Sequence, residues 1–253
     1  MPPSEFAPYE AYASVYDRTG QSRFSLKMVS YGRELWGGDL PGRLVDLGCG
    51  TGAAAVALAL RGVDVLGVDR SGAMLKAARH RAARWGAAVE FQEADFRQLD
   101  LATDFDAATC FYDALNYCGS VAELEAVFRG LHRCVRPGGT FFFDVITDYG
   151  IRFIWGNRPE IRVDDDMVRV WRPSYDRRSA LGTIDITYFV GDTDRPDLWR
   201  RFDERHVHRG FDPIEVHASL AATGWEPVHS YRCFTVEPPD AATYRVAYLA
   251  RRL

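Results

Sequence analysis

The sequence predicts a doubly wound α/β fold: a seven-stranded, mostly parallel sheet with helices on both faces, plus a small antiparallel β insertion. Three observations carry that expectation. Short apolar runs and helical stretches alternate five times between Arg43 and Ile146. A glycine cluster, GCGTG at residues 48–52, closes the first run and opens a helix. After Gly150 the texture changes to β-type patterning with polar turns. Alternation on this scale implies right-handed crossovers and parallel neighbours.

The elements follow in order. Pro2, Pro3 and Pro8 keep the first residues irregular. Tyr9, Tyr12, Ala13 and Tyr16 fall at helical spacing, so a helix is expected over Tyr9–Asp17, and a second over Phe24–Leu35 before Trp36-Gly37-Gly38. Strands are expected at Arg43–Leu47, Val63–Val68, Val89–Gln92, Phe105–Phe111 and Thr140–Ile146. Between them, Ala53–Arg61 is rich in helix formers and closes at Gly62. Ser71–Trp85 carries Met74, Leu75, Ala78 and Ala82 on one side, and Val121–Val135 carries Leu124, Val127, Phe128 and Leu131. Three β runs, Ile161–Trp171, Leu181–Val190 and Leu198–Phe211, make the insertion. Asp212 caps a helix with Pro213 at its first position, running to Ala222. Trp225–Phe234 and Tyr244–Arg251 complete the sheet. The expected organisation is one domain over residues 1–253, with an N-terminal helical cap at 1–40 and an antiparallel lid at 150–210.

Composition narrows the function classes. The chain has 253 residues, 47% of them apolar, and can bury a sizeable core without staples. Lys plus Arg number 31 against 35 Asp plus Glu, a net charge of −4, which argues against a protein built to hold phosphate backbones or anionic membranes. Residues 151–210 hold twelve Arg and eleven Asp or Glu, so the insertion lacks the surplus that a polyanion would need. The five cysteines, Cys49, Cys110, Cys118, Cys134 and Cys233, show no CxxC spacing, so neither a disulfide framework nor a zinc site is expected. No apolar run approaches the roughly 20 residues of a membrane span. The first residues lack the pattern of a signal peptide. A soluble, reducing, cytoplasmic setting is the resulting expectation.

The strongest chemical signal is VDLGCGTG at residues 45–52, between a strand and a helix. Glycines there let the backbone turn tightly and approach a ligand, and the following helix offers unpaired N–H groups. The spacing is Asp-x-Gly-x-Gly-x-Gly, not the G-x-G-x-x-G of dinucleotide sites. Asp69 ends the second strand, 17 residues after Gly52, where a carboxylate can accept bonds from both hydroxyls of a ribose. Asp95 and Phe96 follow the third strand, where an acid and an aromatic could bind and stack on a purine. A helix cap for Asp69 and a turn residue for Asp95 are the plainer readings.

With VDLGCGTG, GVDRSGAML, EADF and FYDALNY in that order, the chain resembles the class I S-adenosylmethionine-dependent methyltransferases of Rossmann-like fold. The resemblance extends from about Tyr12 to the C-terminus. Within that class it is similar to a small-molecule branch that includes glycine and amino-sugar N-methyltransferases. AYASVYD matches that branch's N-terminal helix, and Glu204, His206, Arg209 and Phe211 match a pattern in its β insertion. The resemblance implies S-adenosyl-L-methionine as cofactor and a set of roles. Gly48, Cys49 and Gly50 would pass under the methionine part, with Asp46 ordering the loop. Asp69 would hold the ribose. Arg70 and Met74 would flank the adenine, with Asp95 and Phe96 at its amino edge. Phe111 would lie beside the methionine moiety and Tyr16 would close over it.

Methyl transfer from a sulfonium asks mainly for alignment, exclusion of water and removal of a proton from the acceptor. The expected acceptor residues therefore follow the fourth strand. Asp113 could orient an amine, while Asn116 and Tyr117 could bind hydroxyls or a carbonyl; a cap for Asp113 and packing for Tyr112 are the alternatives. FYDALNY is not the Asn-Pro-Pro-aromatic motif of nucleic-acid amino-methyltransferases, which counts against a base in DNA or RNA as substrate. His206 and His208 share one face of a strand. They could make a metal site with a carboxylate, for which no third ligand has firm spacing, or a base above the nucleophile, with His206 the candidate. A hydrogen-bonded structural histidine is the plainer reading. The aromatics of the insertion (Phe153, Trp155, Trp171, Tyr175, Tyr188, Trp199) could line a substrate pocket or pack a core. The function expected is methyl transfer to a small-molecule amine or hydroxyl. The alternatives are methylation of tRNA or another macromolecule, and a cofactor-binding protein without catalysis.

Overall fold

The computed structural model describes residues 9–101, 104–155, 158–192, 194–195 and 197–253. The expectation for Pro2, Pro3 and Pro8 lies outside the described residues.

Strands β1 (Arg43–Leu47), β2 (Asp64–Asp69), β3 (Val89–Glu93), β4 (Phe105–Cys110) and β5 (Val135–Ile146) join β10 (Trp225–Arg232) and β11 (Arg245–Arg252) in one sheet, in the order β10-β11-β5-β4-β1-β2-β3. All pairs are parallel except those of β11, which runs antiparallel to both β5 and β10. The helices are α1 (Ser22–Leu35), α2 (Ala53–Ala59), α3 (Gly72–Trp85), α4 (Val121–Cys134), the single turn α5 (Asp148–Gly150) and α6 (Pro213–Ala222). Successive side chains of β5 serve opposite faces. Phe141 and Phe143 pack with Leu124, Phe128 and Leu131 of α4 and Val216 and Leu220 of α6. Phe142 packs on the other face with Met28 and Val29 of α1 and Leu58 of α2. Covering both faces is what makes the central strands read as continuous apolar runs. Helix ends follow local chemistry: Ser71 accepts from the Met74 amide, Gly86 closes α3 in the left-handed region, and Asp212 with Glu215 forms a capping box on α6.

Strand order reverses at β1, whose neighbours are β2 on one side and β4 on the other. A crevice opens at such a reversal, outside the carboxyl ends of the strands.

Three expectations need correction. The insertion has four strands, not three: β6 (Glu160–Asp164), β7 (Met167–Asp176), β8 (Leu181–Gly191) and β9 (Trp199–Arg209), each paired antiparallel with the next. The run expected at Ile161–Trp171 is a hairpin turning at Asp165-Asp166, because three consecutive aspartates disfavour a ladder and favour a turn. The strand expected at Thr140–Ile146 begins earlier, at Val135, and its pairing with β4 starts there and jumps to Thr140. The expected helix over Tyr9–Asp17 shrinks to a 3₁₀ turn at Tyr12–Ser14. Tyr9 has φ +70°, and the amides of Tyr9 and Tyr12 donate to the Glu204 carboxylate instead of to a preceding turn. Tyr12 and Val15 then join Trp155, Tyr188 and Phe202 in a core between this segment and the insertion.

Candidate functional site

The crevice is lined by the glycine loop, the residues at the ends of β2, β3 and β4, and Tyr9 and Tyr16 of the N-terminal segment. The glycine loop forms its floor. Gly48, Gly50 and Gly52 have φ of +60°, +54° and +73°, a region that only glycine enters without strain. A Cβ on Gly48 would stand 2.8 Å from that of Ala114, whereas one on Gly50 would meet nothing within 4 Å and would project into open space. The loop is therefore shaped to bring backbone against a ligand. Asp69, at the end of β2, accepts the Gly50 amide at 2.8 Å and the Ser71 amide at 2.9 Å. It anchors the loop and is not the cap of α3, which is Ser71. Burial pushes its carboxyl above the usual range, against the pull of those amides.

Of the residues expected at a cofactor, Tyr16, Gly48, Cys49, Gly50, Asp69, Arg70, Met74, Asp95, Phe96 and Phe111 all lie on the cavity wall. Asp95 also caps the 3₁₀ turn Phe96–Gln98 and pairs with Arg97, whose hydrogen bonds hold its carboxyl below the usual range. The plainer reading of Asp95, a turn residue, describes the bonds its side chain makes. Asp46 stands behind the wall, only 2% exposed, accepting from Thr109 at 2.7 Å, and burial pushes its carboxyl up to about 7.

The turn after β4 departs most from expectation. Tyr112 and Asp113 both sit in the left-handed region, at φ +61° and +55°, which costs non-glycine residues about 1–2 kcal/mol each. Asp144 of β5 holds them there by accepting the Tyr112 amide at 2.8 Å and the Asp113 amide at 3.3 Å. Arg245 of β11 binds Asp144 and also Asp113, the latter at 2.8 Å. Asp113 is therefore committed to an internal ion pair and does not reach the cavity wall. Burial outweighs Arg245 and raises its carboxyl to about 6. Nor does Asp113 cap the following turn. Asn116 is corrected more fully. It is completely buried, donates to the carbonyls of Ile146 (2.8 Å) and Arg209 (2.7 Å), and accepts the Ile146 amide at 2.9 Å. It staples β5 to β9, with neither amide proton left for an acceptor.

Tyr117 does line the cavity, under the Arg70 guanidinium. Its hydroxyl lies 2.6 Å from Nδ1 of His206 and 2.8 Å from the Tyr9 hydroxyl. Burial raises the Tyr117 phenol well above its usual value. His206 stands behind Tyr117, its Nε2 3.2 Å from Glu204. His208 shares its face, as the alternation predicts. It packs against Tyr117 and Trp155, and burial drives its pKa well below the usual range. Among the described residues no group of three His, Cys, Asp or Glu could hold a metal ion.

None of the insertion's aromatics lines the cavity: Trp155 and Tyr188 are core, while Phe153 (65%) and Trp199 (45%) face solvent. Sequence reasoning missed Tyr9, Ser22, Ser25, Thr51 and Arg97, which do line it. Ser22 and Ser25 lie three apart on α1, a signal open to inspection. The acid within Thr140–Ile146, TFFFDVI, was likewise a visible anomaly that pointed to Asp144.

The comparisons agree with this geometry. Residues 44–139 match the methyltransferase domain family. A curated protein of Geobacillus sp. (strain WCH70), named as a methyltransferase without an acceptor, is 28% identical over 252 residues, covering 96% of this chain and 99% of its own. A solved S-adenosylmethionine-dependent methyltransferase from Clostridium acetobutylicum ATCC 824 superposes with a TM-score of 0.84 over 97% of this chain and 99% of its own, at 23% identity. CalS10, an S-adenosylmethionine-bound amino pentose methyltransferase from Micromonospora echinaspora, gives 0.72 at 26% identity, over 99% of this chain and all of its own. Fold, glycine loop and these likenesses define an enzyme that uses S-adenosylmethionine: a methyltransferase. It is one of the class I, Rossmann-like type, and its likeness is to the small-molecule branch.

Proposed function

We propose that this enzyme methylates a small-molecule acceptor at an amine or hydroxyl. The observation that carries the reading is the Tyr117 hydroxyl on the cavity wall, 2.6 Å from the His206 imidazole. A nucleophile entering the cavity meets there a pair able to take its proton. The amino-sugar chemistry of CalS10 and the near balance of charge in the insertion support a small acceptor over a polyanion.

Cofactor and chain fit at the glycine loop, where an open face at Gly50 adjoins the Asp69 carboxylate. Asp69 would hold the ribose, Met74 and Phe96 the base, and Gly48 and Gly50 the methionine end. When bound, S-adenosylmethionine supplies a methyl group already activated on a positively charged sulfur. The chain's part is to orient the nucleophile, exclude water and take up the proton. Tyr9 and Tyr16 close one side of the cavity for the second task, and Tyr117 with His206 performs the third. The whole chain acts as one domain in this reading, with residues 1–40 as the cap and 150–210 as the lid. The five free cysteines suit a reducing cytoplasm.

The test is incubation of the purified protein with S-adenosylmethionine and a panel of amino sugars, small amines, alcohols and bulk tRNA, with methylated products read by mass spectrometry. Mass gain on a small amine or hydroxyl is expected. Methylation of tRNA alone overturns the acceptor class, and no transfer with tight cofactor binding overturns catalysis.

A further inference from the structure

Glu204 occupies an unusual position. Its side chain is fully buried, and burying a carboxylate is costly unless it is hydrogen-bonded. Its partners come from far along the chain. Oε1 accepts the Tyr12 amide at 2.8 Å, and Oε2 accepts the Tyr9 amide at 3.1 Å. The same Oε2 lies 3.2 Å from Nε2 of His206. The other end of the imidazole meets the Tyr117 hydroxyl, which bonds to the hydroxyl of Tyr9. The contacts form a chain: Glu204 holds the backbone of Tyr9, the Tyr9 hydroxyl accepts from Tyr117, and Tyr117 meets His206, whose Nε2 lies within ion-pair distance of Glu204 without a hydrogen bond to it. The N-terminal segment is latched again at its far end, where Asp17 accepts from Thr51 at 2.8 Å and pairs with Arg81 at 2.5 Å.

We infer that Glu204 is a positioning residue that couples seating of residues 9–17 to the proton-accepting arrangement of Tyr117 and His206. The inference rests on the proposed function above. With the segment seated, the two amides fix the carboxylate, and the carboxylate faces Nε2. The Tyr117 hydroxyl, which donates to Tyr9 at rest, turns its proton to Nδ1 of His206 and passes it there as the Tyr117 oxygen takes the acceptor's proton. The imidazolium so formed faces the Glu204 anion until it releases a proton to solvent. With the segment displaced, Glu204 loses both amides, Tyr117 loses Tyr9, and the cavity opens to water. Transfer is thereby confined to the closed state.

The test uses the full-length protein and the variant Glu204→Gln, which keeps the shape and removes the charge. Hydrogen exchange at the Tyr9 and Tyr12 amides should accelerate by about tenfold or more. At the same time kcat should fall by about 10–100-fold with the acceptor KM little changed. Faster exchange with unchanged kcat overturns the coupling. So does a lower kcat with unchanged exchange, because Glu204 then acts on His206 alone. If Glu204→Gln does not fold, Glu204→Asp keeps the charge and shortens its reach, and the same two readouts decide. Calorimetry with S-adenosylhomocysteine on the wild type keeps the two levels apart. A wild type that neither binds it nor transfers methyl refutes the functional reading, whereas an active wild type beside an unaltered variant refutes only the role of Glu204.

Discussion

Replacing Asp69 by alanine removes the carboxylate on which the cofactor reading depends. Two losses follow. The first is internal: the amides of Gly50 and Ser71, held at 2.8 and 2.9 Å, lose a charged acceptor. Each such bond contributes about 1.5–3 kcal/mol. Burial, which raises this carboxyl, offsets part of that gain, and water entering from the cavity can rebind the amides. The net cost in stability should therefore be about 1 kcal/mol. The second loss is to the ligand, whose ribose hydroxyls forfeit their acceptor. Cofactor binding should weaken by about 1–3 kcal/mol, a factor of roughly 5–150 in Kd. Titration calorimetry with S-adenosylhomocysteine reads the second number and thermal melting the first. Asp69→Asn, which keeps one carbonyl oxygen, should fall between the wild type and alanine. A folded Asp69→Ala protein that binds with unaltered Kd would remove this residue from the site and refute the placement of the cofactor.

Other perturbations separate structural from chemical roles. Asn116→Ala deletes three hydrogen bonds, two of them fully buried, and should lower the melting midpoint by about 5 °C or more. A change in acceptor KM without loss of stability would return Asn116 to the substrate. Asp46→Asn tests burial. The folded carboxyl titrates near 7 against an ordinary 3.8, so its share of stability is intact below about pH 4 and is lost as pH rises through 7. The asparagine variant should gain on the wild type across that window, by up to about 4 kcal/mol. Urea midpoints at pH 4, 6 and 8 measure the gap, and a gap independent of pH contradicts the assignment.

Legibility in the sequence followed the range of the interactions involved. The parallel sheet could be read because each strand is buried on both faces, so its apolar run stands out locally. The glycine loop and Asp69 could be read because the geometry they serve spans a few residues on either side of two adjacent strand ends. The aspartates that turn β6 into β7 were also visible, but β patterning on both sides concealed the hairpin. The N-terminal helix failed for another reason: helical spacing of tyrosines records which side chains face one way, not where the backbone amides go.

What the sequence by itself determined is therefore the class of fold, the class of cofactor and the glycine loop at the strand-order reversal. Which polar side chains face the acceptor was decided only in three dimensions. Asp113 and Asn116 looked equally available, yet Asp113 is claimed by an arginine 132 positions away and Asn116 by two strand ends. Glu204 gains its meaning from an amide 195 residues distant. A side chain's chemistry is local, but whether its hydrogen bonds are free or already spent depends on partners that only the folded chain brings within 3 Å of it.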